Sequence, residues 1–244
     1  MDAIPLGPGF AAELRGVTLA DVACDDTAYA AARAAFEQHS VLVLRNQDVT
    51  DEIQLAFSRR FGPPEVTKVG SQGTGSHFVI LSTIGPDGKV VPADHRMAMR
   101  AKANQLWHTD SSFKRLPAYC SMLHARSIPP LGGQTEFADM RAAYDALPEA
   151  TQRRIAGLVA EHSIMTSRAK LGFSDFDESE REAFKPVPQV LVRRLQDSGR
   201  MSLYIASHAG TIRGMADDEA QKLLSELTEH ATQRQFVYSH CWRV

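Results

Sequence analysis

The sequence lacks an excess of charge of either sign. Lysine and arginine number 27 and aspartate and glutamate 29, which gives a formal net charge of −2. A chain so balanced does not create the field that draws proteins to nucleic acids or to acidic membrane surfaces. Long apolar runs are also missing, and none approaches the ~20 residues that span a bilayer. We therefore predict neither a nucleic-acid partner nor a membrane partner.

Cysteine is scarce. Cys24, Cys120 and Cys241 are odd in number, far apart and form no C-x-x-C pair, so they suggest neither a zinc knuckle nor a redox couple. The first residues, from Met1 to Gly9, have neither the basic nor the apolar region of a secretory signal. Both observations predict a reducing compartment and a cytoplasmic location.

Several well-known motifs are absent. The stretch from Gly73 to Gly75 lacks the third glycine of a dinucleotide loop, and residues 85–89 have neither the spacing nor the hydroxyl residue of a phosphate loop. The sequence contains no H-E-x-x-H and no G-x-S-x-G. The chemistry must therefore be sought in another pattern.

Length and hydrophobic periodicity predict one domain over residues 1–244, without internal repeats. Helices are predicted over 29–38, from a Thr50 cap to a stop at Gly62, over 149–160 and over 218–231. Short strands are predicted over 41–44, which we expect to be buried on both faces, and over 78–83, 119–125, 189–195, 202–206 and 236–243. Strands and helices do not alternate strictly, which favours a mainly β fold with added helices over a doubly wound sheet.

One short stretch, "QLWHTDSSF", carries a candidate metal site. On a strand, His108 and Asp110 would point to the same side and Thr109 to the other. An imidazole and a carboxylate, joined by a second histidine, form the 2-His-1-carboxylate face that holds Fe(II). The pattern also arises by chance, and a strand-end histidine bonded to a nearby aspartate is the inert alternative.

Longer motifs resolve this ambiguity. "NQLWHTDSSF", "PPLGGQTEFADMRAAYDALP" and "LTEHATQRQFVYSHCWRV" resemble the taurine/2,4-dichlorophenoxyacetate dioxygenase family of Fe(II)- and 2-oxoglutarate-dependent oxygenases. The similarity begins at "HSVLVLRNQ" and "QLAFSRRFGP" and covers nearly the whole chain. It implies a double-stranded β-helix, the jelly roll of cupin-like proteins.

The resemblance also implies a site. His108 and Asp110 would be metal ligands and catalytic residues, and Thr135 would bind the distal carboxylate of 2-oxoglutarate. Its short hydroxyl follows two glycines that permit close approach, although an ordinary strand threonine is the alternative. Fe(II), 2-oxoglutarate and O2 are the cofactor and co-substrates implied.

Three further residues are candidates for substrate binding on the same resemblance. Lys68 matches a lysine expected to meet the substrate carboxylate, Asn104 an asparagine that contacts substrate in sulfonate enzymes, and His208 a histidine of the phenoxyacetate enzymes. For Lys68 the alternative is a solvated surface lysine, and for Asn104 a plain turn residue.

The family's third metal ligand has no match among the residues of this sequence. In the family it is a histidine beyond the "FVYSHCWRV" strand, followed by an arginine that pairs with 2-oxoglutarate, and we expect both to lie after Val244. His230, His240 and His208 do not match that position. His230 is expected on the surface of a helix and His240 in a strand.

The resemblance implies hydroxylation of a small carboxylate substrate, an aryloxyacetate such as 2,4-dichlorophenoxyacetate. The products would be a phenol, glyoxylate, succinate and CO2. Three alternatives stay open: a taurine or alkylsulfonate substrate, a metal-dependent hydrolase, and a non-catalytic jelly-roll protein that binds a metal or ligand, should the polypeptide end at Val244. A homo-oligomer is an open alternative to a monomer.

Overall fold

A computed structural model describes residues 1–7, 9–66, 76–173 and 176–243, and the side chain of residue 96 is not among the described parts. The elements in chain order are β1 (Asp2–Pro5), β2 (Ala12–Arg15), α1 (Leu19–Cys24), α2 (Asp26–His39), β3 (Leu42–Val43), α3 (Asp51–Phe61), α4 (Arg96–Asn104), β4 (Thr135–Ala138), α5 (Met140–Asp145), α6 (Glu149–Ile155), β5 (Val159–His162), α7 (Ile164–Ala169), α8 (Glu178–Ala183), β6 (Val187–Val190), β7 (Val192–Arg194), β8 (Met201–Leu203), β9 (Ala209–Ile212), α9 (Asp217–Ala231) and β10 (Val237–His240).

The strands form short sheets of two or three members. Strand orders are β1-β2-β3, β10-β4, β6-β5-β9 and β7-β8. All pairs are antiparallel except β2 with β3. The pairing of β4 with β10 places Thr135 opposite His240. Two segments about a hundred residues apart in sequence are thereby brought side by side.

Two hydrophobic clusters hold these sheets. One gathers Val22, Leu14 and Phe57 near the N-terminus, and the other packs α9 through Leu223 and Leu227 against the later strands. A buried ion pair lies between α5 and α2. Arg141 donates to both carboxylate oxygens of Asp139 (3.0 and 3.2 Å) and also to two backbone carbonyls at the end of α2.

Helix ends with clear capping signals are confirmed. Helix α3 begins after Thr50, whose hydroxyl accepts from the Ile53 N–H at 3.3 Å, and ends at Gly62, where φ is 142°. A side-chain oxygen at the N-cap satisfies a free backbone donor, and glycine tolerates positive φ. The predicted helices over 29–38 and 218–231 correspond to α2 and α9.

Several strand predictions are wrong. Residues 78–83 and 119–125 form no strand, and Ile80 and Leu123 there are 75% and 43% exposed. β-branched and aromatic residues favour strands only where a pleated surface is partly buried. The strand predicted over 41–44 shrinks to β3 and is half-buried rather than covered on both faces. The helix predicted over 149–160 ends at Ile155, because Gly157 turns the chain with φ 77° before β5.

Helices contain more residues than strands in the described part of the chain. Within that part, no helix combines the length and the hydrophobicity that crossing a bilayer requires.

Candidate metal centre and co-substrate site

The loop after α4 carries His108 and Asp110. It is a series of turns and not the strand on which the two side chains would share a face, with bonds from Ser112 N–H to the Thr109 carbonyl (3.3 Å) and from Lys114 N–H to the Ser111 carbonyl (2.8 Å). The buried Gln189 of β6 secures it, since its amide donates to the carbonyls of Ser112 and Lys114, both at 2.9 Å. The turn brings the two side chains together, and β6, which is distant in the sequence, holds the turn in place.

The two predicted ligands are in direct contact. His108 Nε2 lies 3.2 Å from Asp110 Oδ1, and their side chains are 27% and 56% exposed. Neighbouring ligand atoms on a six-coordinate ion with bonds of about 2.1 Å are about 3 Å apart, so the separation fits one divalent ion. A borderline nitrogen and a hard carboxylate oxygen also suit Fe(II).

The remaining atoms of the pair have partners of their own. His108 Nδ1 lies 2.7 Å from the carbonyl of Leu106, an acceptor, so Nδ1 carries a proton and Nε2 is the nitrogen available to a metal ion. Ser121 donates its hydroxyl to Asp110 Oδ2 at 2.7 Å, which leaves Oδ1 free. Each side chain therefore directs one unshared atom toward the other.

The contact between His108 and Asp110 changes the pKa of both side chains. The hydrogen bond with Asp110 raises the pKa of His108, against an opposing effect of burial. The same bond lowers the pKa of Asp110, and Ser121 adds to that effect. Both shifts favour an imidazolium beside a carboxylate, an ion pair that a bound cation would replace.

His208, which the resemblance makes a candidate for substrate binding, lies beside this pair. It is 5% exposed, and its ring centroid is 6.1 Å from that of His108 and 5.0 Å from that of Phe113. Its Nδ1 has no hydrogen-bond partner among the described residues. Burial lowers the pKa of His208 to about 3. The residue is thus a neutral, buried imidazole with a free polar atom next to the candidate ligands.

His162 is a buried histidine that sequence reasoning missed. It is fully buried in β5, stacks on Tyr204 with ring centroids 5.8 Å apart, and neither ring nitrogen has a partner within the described residues. Burial, aided by Arg193, lowers the pKa of His162 to about 4. No motif in the sequence marks His162. It is buried because the side chains of β5 alternate between the two faces of the sheet and His162 lies on the buried face.

His162 should make the fold sensitive to acid. A histidine with a pKa of about 4 when folded and 6.5 when unfolded stabilises the fold fully above pH 6.5, and this stability is lost as the pH falls toward 4. Between pH 7.5 and 5.0 the loss amounts to about 2 kcal/mol. In urea unfolding, His162→Phe should reduce the fall in stability by that amount, and the exposed His124→Phe should not. An unchanged pH dependence in His162→Phe would contradict this assignment.

Thr135 lies on a different element from the pair. It begins β4, is half-buried, and its Oγ1 accepts a hydrogen bond from Trp242 Nε1 at 2.9 Å. The turn before it contains Gly132 and Gly133, with φ values of 76° and 74°. A Cβ at Gly133 would lie 2.7 Å from Pro129, so this approach requires glycine.

Asn104 is the last residue of α4 and is exposed. Lys68 lies outside the described residues. His240 is buried in β10, as expected for a strand residue, whereas His230 is half-buried rather than on the surface and contacts the carbonyl of Ala143 at 2.8 Å. Across the described ranges, no three histidine, cysteine, aspartate or glutamate side chains form a metal-binding group.

The loop pair and the sheet arrangement point to the non-haem iron oxygenases, in which one histidine and one carboxylate supply two of three protein ligands. Comparison with known proteins supports that class. Residues 2–244 match the family model described as "Taurine catabolism dioxygenase TauD, TfdA family". The chain belongs to this family.

Comparison with individual relatives supports the same family. The chain is 44% identical over 245 residues to the alpha-ketoglutarate-dependent 2,4-dichlorophenoxyacetate dioxygenase of Cupriavidus pinatubonensis, covering 98% of this chain and 85% of that protein. It is 37% identical over 249 residues to the (S)-phenoxypropionate/alpha-ketoglutarate-dioxygenase of Sphingobium herbicidovorans, covering 99% and 83%. The crystal structure of AAD-2 in complex with Mn(II) and N-oxalylglycine superimposes with a TM-score of 0.91 at 42% identity, covering 100% of this chain and 84% of the other.

These findings confirm the predicted family, enzyme class and fold. The protein is an oxidoreductase of the dioxygenase class with the jelly-roll architecture of its relatives. A metal ion, 2-oxoglutarate and O2 are the requirements of that class, as predicted.

Proposed function

We propose that the protein hydroxylates an aryloxyacetate, such as 2,4-dichlorophenoxyacetate, at the carbon beside the ether oxygen. The placement of His108 and Asp110 carries the proposal, because Nε2 and Oδ1 lie 3.2 Å apart, a separation that one ion can span, in a chain that belongs to an iron oxygenase family. The substrate class rests on relatives named for phenoxyacetate and phenoxypropionate, which are 44% and 37% identical to this chain.

His108 and Asp110 would hold Fe(II), and Thr135 would bind the distal carboxylate of 2-oxoglutarate. When bound, iron supplies the activation of O2 through which 2-oxoglutarate becomes succinate and CO2 and one oxygen atom enters the substrate. The hydroxylated carbon then carries both a hydroxyl and the ether oxygen. This hemiacetal breaks down to a phenol and glyoxylate.

The protein keeps its ligands in one orientation. The Leu106 carbonyl fixes the tautomer of His108, and Ser121 holds one oxygen of Asp110 so that the other faces the imidazole. Hydrogen-bond partners of this kind orient metal ligands and tune their basicity. Beside the pair, the buried, neutral ring of His208 packs edge to face on the half-buried ring of Phe113, and two such rings suit an aromatic substrate.

Two further residues complete the proposed substrate contacts. Lys68 would pair with the substrate carboxylate, and Asn104 would contact the substrate at the end of α4. A fixed ammonium is the expected partner of a small acid. The single domain over 1–244 is likewise part of the proposal, while the cytoplasmic location and the homo-oligomer stay predictions.

Ser121→Ala should weaken iron binding about 10- to 100-fold, the usual effect of removing a partner of a metal ligand. Without the 2.7 Å bond, the Asp110 carboxylate is free to rotate away from His108. Iron affinity is measured by anaerobic Fe(II) titration. The exposed Ser198→Ala is the matched control, and equal affinities in the two variants would show that Ser121 does not orient the ligand.

A panel of acids tests the substrate class directly. With Fe(II) and 2-oxoglutarate, aryloxyacetates should give the fastest O2 uptake and release a phenol. Faster uptake with taurine or an alkylsulfonate would assign the enzyme to the other substrate class of its family. Absence of 2-oxoglutarate-dependent uptake with every acid would favour a non-catalytic or hydrolytic protein.

A further inference from the structure

The only hydrogen bond described for the Thr135 side chain comes from a tryptophan 107 positions away in the sequence. Trp242 Nε1 donates to Thr135 Oγ1 at 2.9 Å. The β4–β10 pairing makes this contact possible, since Thr135 lies opposite His240 and Trp242 follows two residues later.

The direction of this bond determines what Thr135 can do. An indole N–H is a donor only, so the bond occupies a lone pair of the hydroxyl oxygen. The single hydroxyl hydrogen then remains for an acceptor. We propose that Trp242 is a positioning residue that presents the Thr135 hydroxyl as a donor to the distal carboxylate of 2-oxoglutarate. This inference rests on the proposed co-substrate role of Thr135.

Neighbouring aromatic residues hold the indole in place. The rings of His240 and Trp242 meet edge to face with centroids 4.6 Å apart, and the Tyr238 hydroxyl lies 3.0 Å from His240 Nδ1. His240 is 4% exposed, which restricts its motion. Alternate residues of β10 and its continuation therefore form a packed row that ends at Trp242.

The indole of Trp242 also borders a cavity. Gln134, Cys241 and Trp242 help to line a cavity of about 290 Å³ whose other walls come from the turn that precedes Thr135. That turn includes Gly133, where an added Cβ would lie too close to Pro129. The turn that leads into Thr135 and the indole that bonds its hydroxyl thus border the same cavity.

Trp242→Phe keeps an aromatic ring but removes the N–H. We expect the Kd for 2-oxoglutarate to rise about tenfold, since a hydrogen bond in a charged network is worth about 1.5 kcal/mol. The Kd is read anaerobically from the visible absorption of the Fe(II)–2-oxoglutarate complex. The KM for 2-oxoglutarate should rise in parallel, with kcat and the substrate KM within about twofold. Tyr119→Phe, which removes a ring donor that serves Glu37, is the matched control.

A double-mutant cycle separates positioning from general packing. In a Thr135→Ala background, Trp242→Phe should have no further effect on the Kd, because the hydroxyl through which it acts is gone. An undiminished second effect, or an unchanged Kd in Trp242→Phe, would overturn the inference. If Thr135→Ala alone leaves the Kd unchanged, the co-substrate role of Thr135 in the proposed function fails instead.

A measurement on the unmodified protein is independent of whether the variants fold. With Zn(II) in place of iron, adding 2-oxoglutarate should shift the NMR signal of the Trp242 indole N–H, because the carboxylate polarises the hydroxyl that accepts its bond. An indole signal that stays in place at saturating 2-oxoglutarate would contradict the positioning role.

Discussion

Replacing Asp110 with alanine should reduce the 2-oxoglutarate-dependent formation of succinate by more than about 100-fold, because losing a ligand costs more than the 10- to 100-fold effect of losing its partner. The variant keeps His108 but removes the carboxylate oxygen that lies 3.2 Å from its Nε2. His108 alone cannot replace the 2-His-1-carboxylate set that holds Fe(II), so the affinity for iron should fall together with the activity. Succinate is quantified by chromatography after incubation with Fe(II) and an aryloxyacetate.

The exposed Asp94→Ala is the matched control for this experiment. It removes an aspartate that makes no described contact with the loop carrying His108, and it should retain full turnover. Because Asp110 is half-exposed, its removal should leave thermal stability nearly unchanged, which separates loss of chemistry from loss of fold. Full succinate formation by Asp110→Ala would remove Asp110 from the proposed ligand set.

Arg141→Leu should lower the free energy of unfolding by about 3–5 kcal/mol, the usual effect of breaking a buried ion pair. The side chains of Arg141 and Asp139 are 4% and 5% exposed. Without the arginine, the Asp139 carboxylate keeps its bonds to the first turn of α5 but lies buried without a counter-charge. The two carbonyls at the end of α2 also lose their donor.

Urea unfolding at neutral pH measures this effect. Arg153→Leu is the control, since Arg153 and its partner Glu149 are 69% and 78% exposed and such a pair contributes little. Adding Asp139→Asn to Arg141→Leu should recover part of the loss, because the amide still caps α5 without burying a charge. A loss below about 1 kcal/mol for Arg141→Leu would mean that the pair does not join α2 to α5 energetically.

Helix ends could be predicted because their signals are local. Thr50 and Gly62 bound α3 through contacts within three residues, and these residue types favour those positions in any fold. The strands were harder, since a strand requires a partner that the sequence does not show. β10 was predicted because its apolar pattern is strong, whereas 119–125 has a similar pattern but forms no strand and leaves Tyr119 and Leu123 exposed.

The interpretation of His108 and Asp110 as a pair considered a local structure that they do not adopt. Alternation along a strand would place the two side chains on one face, but a turn brings them together instead. The residues that support them were not predicted. Ser121 and Gln189 act on the loop from 11 and 75 or more residues away, and neither has a sequence signature. Such contacts depend on the tertiary fold, which brings these residues to the loop.

The proposed function requires that Fe(II) bind through His108 and Asp110 and that 2-oxoglutarate bind beside it through Thr135. Anaerobic addition of Fe(II) and 2-oxoglutarate to the enzyme, followed by visible spectroscopy, tests this requirement most directly. We expect a weak metal-to-ligand charge-transfer band that saturates with 2-oxoglutarate and is absent in Asp110→Ala. No band in the parent enzyme, or an equal band in Asp110→Ala, would contradict the account.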